Sequence, residues 1–283
     1  MFKHLISSSP WPDKASTRTA VGPFYGSAEA RCVAELASHH ERIVVFVSDT
    51  SNAIALEREL PFFLTQETEL LSFPDWEILP YDHFSPHQDI VSERLRTLYR
   101  LPKMARGILI VPVSTAMHRL PPIDYIASNA LQLGIGDEFD AVAFRQQLLN
   151  AGYVAVDTVY EHGEFALRGS ILDVFPMGSS VPYRIDTFDA DVDTIRTFDP
   201  ETQRTIEAIE RIDLLPAREF PLTKGALNQF MMNWYEAFDV DHDACPIYRE
   251  VLAGRVPGGT EYFLPLFFKQ TASLFDFLPE GTA

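Results

Sequence analysis

The stretch Glu161-His-Gly-Glu-Phe-Ala-Leu-Arg-Gly-Ser-Ile-Leu-Asp-Val-Phe-Pro-Met-Gly178, followed by Pro182-Tyr-Arg-Ile-Asp-Thr-Phe-Asp189, decides how the chain is read. Ser170 to Phe175 is a short apolar run broken only by Asp173. Pro176 and Gly178 close it, so it reads as strand and turn. Val181 to Phe188 then alternates. Side chains two apart share one face of a strand, which puts Tyr183, Ile185 and Thr187 on one side and Arg184, Asp186 and Phe188 on the other. The first set suits a core. The second places an arginine, a carboxylate and a ring side by side near solvent, and arginines and rings commonly anchor protein interfaces. The same pattern also fits an ordinary half-buried strand with Phe188 turned inward at a bulge; the residues alone leave both readings open.

Outward from this block the chain alternates between helix and strand. Ala28 to His39 has helical composition, with Val33 and Leu36 on one face, and Ile43 to Val47 is a continuous apolar run of the kind buried in a parallel sheet. Thr50 to Leu60 reads as a helix capped near Asp49 or Ser51. Ile90, Leu95, Leu98 and Leu101 recur at near-helical spacing, and Gly107 to Val113 is again a buried strand. This alternation predicts a doubly wound parallel α/β unit. His118-Arg-Leu-Pro-Pro122 breaks it. The helix Ala141 to Ala151 and the strands between Tyr153 and Ile212 then form a smaller α+β insert, with hairpins turned at Asp189-Ala-Asp191 and Asp199-Pro200. Leu214 to Pro221 is the return linker. Leu227, Phe230, Met231, Trp234 and Phe238 mark an amphipathic helix expected to pack back on the first unit. The division expected is 1–122, 123–215 for the insert, and 216–283 for a return segment truncated at its C-terminal end.

Composition sets bounds. The 283 residues are 46% hydrophobic, with 20 prolines against 14 glycines, which suits a punctuated α/β chain with room for more than one core. The net charge is −17. An acidic surface repels the duplex, and no basic stripe gathers the scattered Lys and Arg. Met1 to Pro10 holds no apolar stretch for a signal peptide, and no run approaches the ~20 residues of a membrane span. A soluble, cytoplasmic protein is expected, with Cys32 and Cys245 as buried reduced thiols.

Candidate chemistry is sparse. A phosphate loop needs Gly-x-x-x-x-Gly-Lys-Ser/Thr, so that amides cradle the phosphates and the lysine neutralises them. Gly22-Pro-Phe-Tyr-Gly26-Ser27 comes nearest, but no lysine follows Gly26, Pro23 lacks an amide, and Glu29 is a poor neighbour for phosphate. Asp137-Glu138-Phe139-Asp140 reads as a solvated turn into a helix. His83 and His87, with Asp82 and Asp89, could only meet at a metal across Pro86, which prevents the aligning helix. The hairpin carboxylates Asp186, Asp189, Asp191, Asp193 and Asp199 lack a calcium-loop pattern. No serine or cysteine sits in a nucleophile elbow. Phe73, Trp76, Leu79, Tyr81 and Phe84 would suit base stacking only with interleaved cations, which are absent, so the segment reads as a packed connector.

The signature Arg168-Gly-x-x-x-Asp173-x-Phe175-Pro176 resembles one shared by the excision-repair protein UvrB and the family of bacterial transcription-repair coupling factors. Phe73-Pro-Asp-Trp-Glu-Ile-Leu-Pro-Tyr-Asp82 with Ser85-Pro-His-Gln-Asp89 and Arg94, Gly107 to Thr115, and Gly258-Gly-Thr-Glu-Tyr262 with Pro265-Leu-Phe-Phe268 are similar to the UvrB-like N-terminal module of the coupling factors. The resemblance, from about Ala20 onward, implies a module descended from UvrB that has lost its nucleotide site, with Gly22, Gly26 and Ser27 as its remnant. It further implies a cytoplasmic DNA-repair protein that recruits UvrA to RNA polymerase stalled at damage. In the parent chain it implies an ATP-driven translocase on double-stranded DNA, using ATP and magnesium outside this segment. Carried over by motif position, the UvrA contacts are Arg168, Arg184 and Phe188, the arginines pairing with partner carboxylates; Arg184→Ala and Phe188→Ala are expected to change stability little, as for exposed side chains. An active helicase of UvrB type is the alternative that the missing lysine opposes. Calorimetry with magnesium-ATP should therefore show no heat of binding, and a micromolar dissociation constant would overturn the reading.

Overall fold

The structure is a computed structural model that describes residues 20–64, 67–80 and 82–282. The Met1–Pro10 segment and Tyr81 lie outside the described residues. The chain opens with α1 (Ala28–His39), β1 (Arg42–Val47) and α2 (Thr50–Glu59), whose cap is Asp49 accepting from the Asn52 amide. Next come β2 (Glu69–Ser72), α3 (Gln88–Arg100) and β3 (Gly107–Pro112). The three strands form a parallel sheet in the order β1-β3-β2. Ile108 to Val111 are wholly buried because β3 is central and covered on both faces. Ala30, Val33, Ala53 and Leu56 of α1 and α2 pack against Ile43, Ile108 and Ile110 on one side. Leu95 and Leu98 of α3 pack with Leu71, Leu109 and Val111 on the other. The strand β2 had no counterpart in the sequence reading.

Two short helices, α4 (Val113–Ala116) and α5 (Ile123–Ser128), lead into β4 (Leu131–Gly134) and α6 (Ala141–Asn150), capped by Asp140. The insert continues through β5 (Val154–Ala155), β6 (Glu164–Arg168), β7 (Ile171–Val174), β8 (Tyr183–Phe188), β9 (Asp191–Phe198) and β10 (Thr205–Ile209). These six strands form one sheet in sequence order, mostly antiparallel. β11 (Arg211–Leu214) returns to pair with β4. The insert has a small core of its own, Val159, Ala166, Phe175 and Phe198, but its larger core is shared. Phe165, Leu172, Ile185 and Ile195 from the six-stranded sheet belong to the same apolar cluster as Leu95, Leu98 and Leu71. His162 adds a polar tie, its ring nitrogens 2.7 Å from Asp89 Oδ1 and 2.7 Å from the Ser179 carbonyl.

The C-terminal part corrects one expectation. Phe230 and Trp234 of α7 (Lys224–Ala237) do not pack back on the first unit; they form a separate core with Phe220, Leu264, Phe267 and with Tyr248 and Val251 of α8 (Pro246–Leu252). Contact with the first unit is made by Tyr262 and by Leu274 and Phe277, which enter the main cluster. Cys32 is buried, whereas Cys245 is half-exposed, and both are free thiols. Among the described residues no helix is long and apolar enough to cross a membrane.

The junction of these pieces is built on Arg94, which is fully buried. Its Nε donates to Glu219 Oε1 at 2.5 Å, Nη2 to Glu219 Oε2 at 3.2 Å, and Nη1 to the Pro74 carbonyl at 2.7 Å. The guanidinium lies over the Phe73 ring at 4.2 Å and the Trp76 ring at 4.7 Å. Trp76 also donates to Glu219 and stacks on His118, with ring centroids 4.6 Å apart. Phe73 and Trp76 are thus the packed connector expected, but Leu79 and Phe84 are not part of it, being 70% and 73% exposed. Burial, reinforced by the charge of Arg94, pushes the His118 imidazole below its ordinary value, against the opposing pull of Asp75 and Glu219. The folded chain therefore resists a proton that the unfolded chain accepts. Stability should fall as pH drops below about 6.5, the free histidine value. His118→Phe should flatten that limb in urea melts taken between about pH 7 and pH 5.5; an unchanged slope would contradict it.

Candidate functional site

The outer face of the six-stranded sheet is organised by one carboxylate. Asp173 on β7 pairs in register with Arg184 on β8 and Ala166 on β6, and Arg168 is the next residue along the same face of β6. Asp173 is wholly buried. Arg184 grips it with two bonds, Nε to Oδ1 at 2.7 Å and Nη2 to Oδ2 at 2.9 Å, and donates Nη1 to the Gln203 carbonyl at 3.2 Å. Its guanidinium lies over Phe198, 4.8 Å from the centroid. The bonds to Asp173 push the Arg184 value up from that of a free arginine. Arg168 reaches the same carboxylate from the other side through Nη2 at 2.5 Å, with its side chain 52% exposed. The next row along the face holds Asp186, which accepts from Thr194 Oγ1 at 3.0 Å and Arg196 Nη1 at 3.3 Å.

Phe188 ends β8 at the turn Asp189-Ala190, whose φ values of 49° and 76° suit a tight hairpin. It is 71% exposed. The bulge that shifts the β8–β9 register falls after Asp186, yet Phe188 stays outward. The β6–β7 turn lies beside it, because the Thr187 amide donates to the Ser170 carbonyl at 2.9 Å. Arg168, Arg184 and Phe188 therefore share one face, and Ile185 points into the core.

This arrangement corrects the expectation for the arginines. Both already have a carboxylate partner inside the chain, so Arg184 is not a free surface charge. The signal was present in the sequence: Asp173 is the only charge in its apolar run, and Arg-Gly-x-x-x-Asp spans a hairpin that brings its two ends together.

Gly22, Gly26 and Ser27 lie elsewhere, at the entry to α1. Gly26 has φ of 55°, and Ser27 is the N-cap residue without a side-chain bond to the helix amides. Glu29 stands in the first turn, where its charge opposes a phosphate. The hairpin carboxylate Asp199 accepts from the amides of Glu201 and Thr202. A cavity of about 280 Å³ lies where the connector, insert and return segment meet, lined in part by Arg218, His162 and Glu261. Burial pushes the Glu261 carboxyl up.

Residues 131–220 match the family described as UvrB interaction domain, a span that includes Asp173, Arg184 and Phe188. Over nearly its whole length the chain is similar to transcription-repair-coupling factors. It is 47% identical over 273 residues to that of Escherichia coli (strain K12), covering 96% of this chain and 24% of the relative. The figures are 44% over 273 residues for Haemophilus influenzae, with the same coverage, and 30% over 240 residues for Rickettsia prowazekii, covering 84% of this chain and 21% of the relative. The chain is thus a relative of the transcription-repair-coupling factors that carries a UvrB interaction domain, and it spans about a quarter of the length of the curated relatives it matches.

Three substitutions should separate the two faces. Arg184→Ala should cost about 1–3 kcal/mol, because it leaves the buried Asp173 with the Arg168 bond alone. Phe188→Ala should stay within ~0.5 kcal/mol, and Ile185→Ala should cost on the order of 2 kcal/mol or more. Thermal melts with urea titrations measure all three; a large loss at Phe188 would refute the assignment.

Proposed function

We propose that this chain is the UvrB-like, N-terminal module of a transcription-repair coupling factor, and that its insert captures UvrA through Arg168, Arg184 and Phe188. The observation that carries the reading is the exposed Phe188 beside a half-exposed Arg168 on the very segment that matches the UvrB interaction domain. A ring this exposed does little for the fold, and an arginine next to it with unused donors suits carboxylates flanking an apolar pocket. In this reading the parent chain recognises stalled RNA polymerase and displaces it by ATP-driven translocation on double-stranded DNA. ATP and magnesium serve the parent's motor, outside these residues. The module itself is an adaptor without catalysis, working in the cytoplasm in nucleotide excision repair.

Helices on both faces of the parallel sheet support reading the first unit as a doubly wound, NTPase-derived fold, with Gly22–Ser27 as the remnant of its nucleotide site. The unit would comprise 1–122 and 216–283, interrupted by the insert. Arg168→Ala and Phe188→Ala should each weaken binding of purified UvrA at least tenfold in calorimetry, with the melt unchanged for Phe188→Ala and only slightly lowered for Arg168→Ala, because Arg184 still holds Asp173. Wild-type chain that fails to bind UvrA would refute the reading.

A further inference from the structure

We infer that Asp173 is the positioning residue of the docking face, and that the two arginines divide their work around it: Arg184 holds the carboxylate in place and Arg168 meets the partner. The inference rests on the docking reading above and goes beyond it by assigning unequal roles. It follows from counting donors. A guanidinium has five N–H groups. Arg184 commits Nε and Nη2 to Asp173 and Nη1 to the Gln203 carbonyl, and its ring-facing surface covers Phe198. All three of its nitrogens are engaged. Arg168 commits Nη2 alone, and half of its side chain is open to solvent. Its Nε and Nη1, on separate edges of the guanidinium, are each left to donate a single charge-assisted bond to a partner carboxylate.

Asp173 makes this possible because it is buried and acceptor-only. Its Oδ2 takes one bond from each arginine and its Oδ1 a second from Arg184, so two cations are held side by side without repelling each other apart. A long arginine side chain loses rotamer freedom when it binds, and a side chain already held loses less. Asp173 is thus expected to slow dissociation. Charge alone argues the opposite way: neutralising Asp173 raises the local positive charge and should speed encounter with an acidic partner. The two ideas predict opposite outcomes.

The test is surface plasmon resonance of the chain on immobilised UvrA, with wild type, Asp173→Asn, Arg168→Ala, their double variant and Ile185→Ala. Asparagine keeps the shape of Asp173 but offers one acceptor and turns an NH2 donor toward a guanidinium. Positioning predicts at least tenfold weaker binding for Asp173→Asn, carried by faster dissociation, with association unchanged or faster. It also predicts that the double variant binds within about threefold of Arg168→Ala, because both changes remove the same held arginine. Ile185→Ala destabilises the same sheet from its core face, so its folded fraction should bind like wild type. That control separates positioning from mere loss of stability. Asp173→Asn that binds as well as or better than wild type, or a loss matched by Ile185→Ala, overturns the inference. Absence of wild-type binding overturns the docking reading instead. Should Asp173→Asn fail to fold, Arg184→Lys, which keeps the charge but loses the two-pronged grip, gives the same test and should also dissociate faster.

Discussion

The buried pair of Arg94 and Glu219 is the constraint around which the rest is arranged. Neither charge meets water, so each is stable only while the other is in place; breaking such a pair by removing one partner typically costs about 3–5 kcal/mol. The two residues come from parts of the chain far apart in sequence, the helix under the parallel sheet and the linker leaving the insert. Pro74, Phe73 and Trp76 close the shell around the guanidinium. Asp75, between them, accepts from Ser114 and Thr115 at the end of the central strand. Tyr262 sets its edge on Trp76 and donates to the Ile78 carbonyl. The separate sequence blocks are therefore parts of a single packed object.

Close backbone approach explains the glycines of those blocks. A Cβ on Gly258 would lie 2.3 Å from the His83 carbonyl oxygen, and one on Gly259 would lie 2.2 Å from that of Asp82. The return segment seats directly on the connector loop there, and only glycine leaves room. Gly178 plays a similar part at the end of β7. Its φ is 82°, a Cβ would meet Leu215 at 2.7 Å, and its amide donates to Ser92 on α3.

Much of this was legible in the sequence. A helix with a capping side chain, such as Thr50–Glu59 behind Asp49, or with strong apolar periodicity, such as Gln88–Arg100, declares itself locally, and so does a central strand that is apolar throughout. The alternation in Tyr183–Phe188 gave both faces correctly, since one buried face enforces register. What was hidden depended on partners distant in sequence. Glu69–Ser72 is a strand because it finds the edge of β3, and four residues carry no period of their own. Phe230 and Trp234 showed that α7 has an apolar face without saying what covers it. Exposure at Leu79 and Phe84 could not be told from burial at Phe73 and Trp76, because an irregular loop has no period to read. Asp173 was visible but unassigned: a lone acid in an apolar strand signals a partner, and the hairpin supplies two.

α3 serves two layers at once. Its sheet and the parallel sheet bury apolar side chains in one cluster, and the connection is fastened again by His162 at Asp89 and by Gly178 at Ser92. Segments joined only by a linker and a small polar contact move freely relative to one another, whereas a shared apolar core suppresses that motion. The outer face of the six-stranded sheet is thus tied to the parallel sheet through shared core. If the proposed partner binds there, its orientation relative to the parallel sheet would be set by that shared core, through which a pull or a twist on either would be carried to the other.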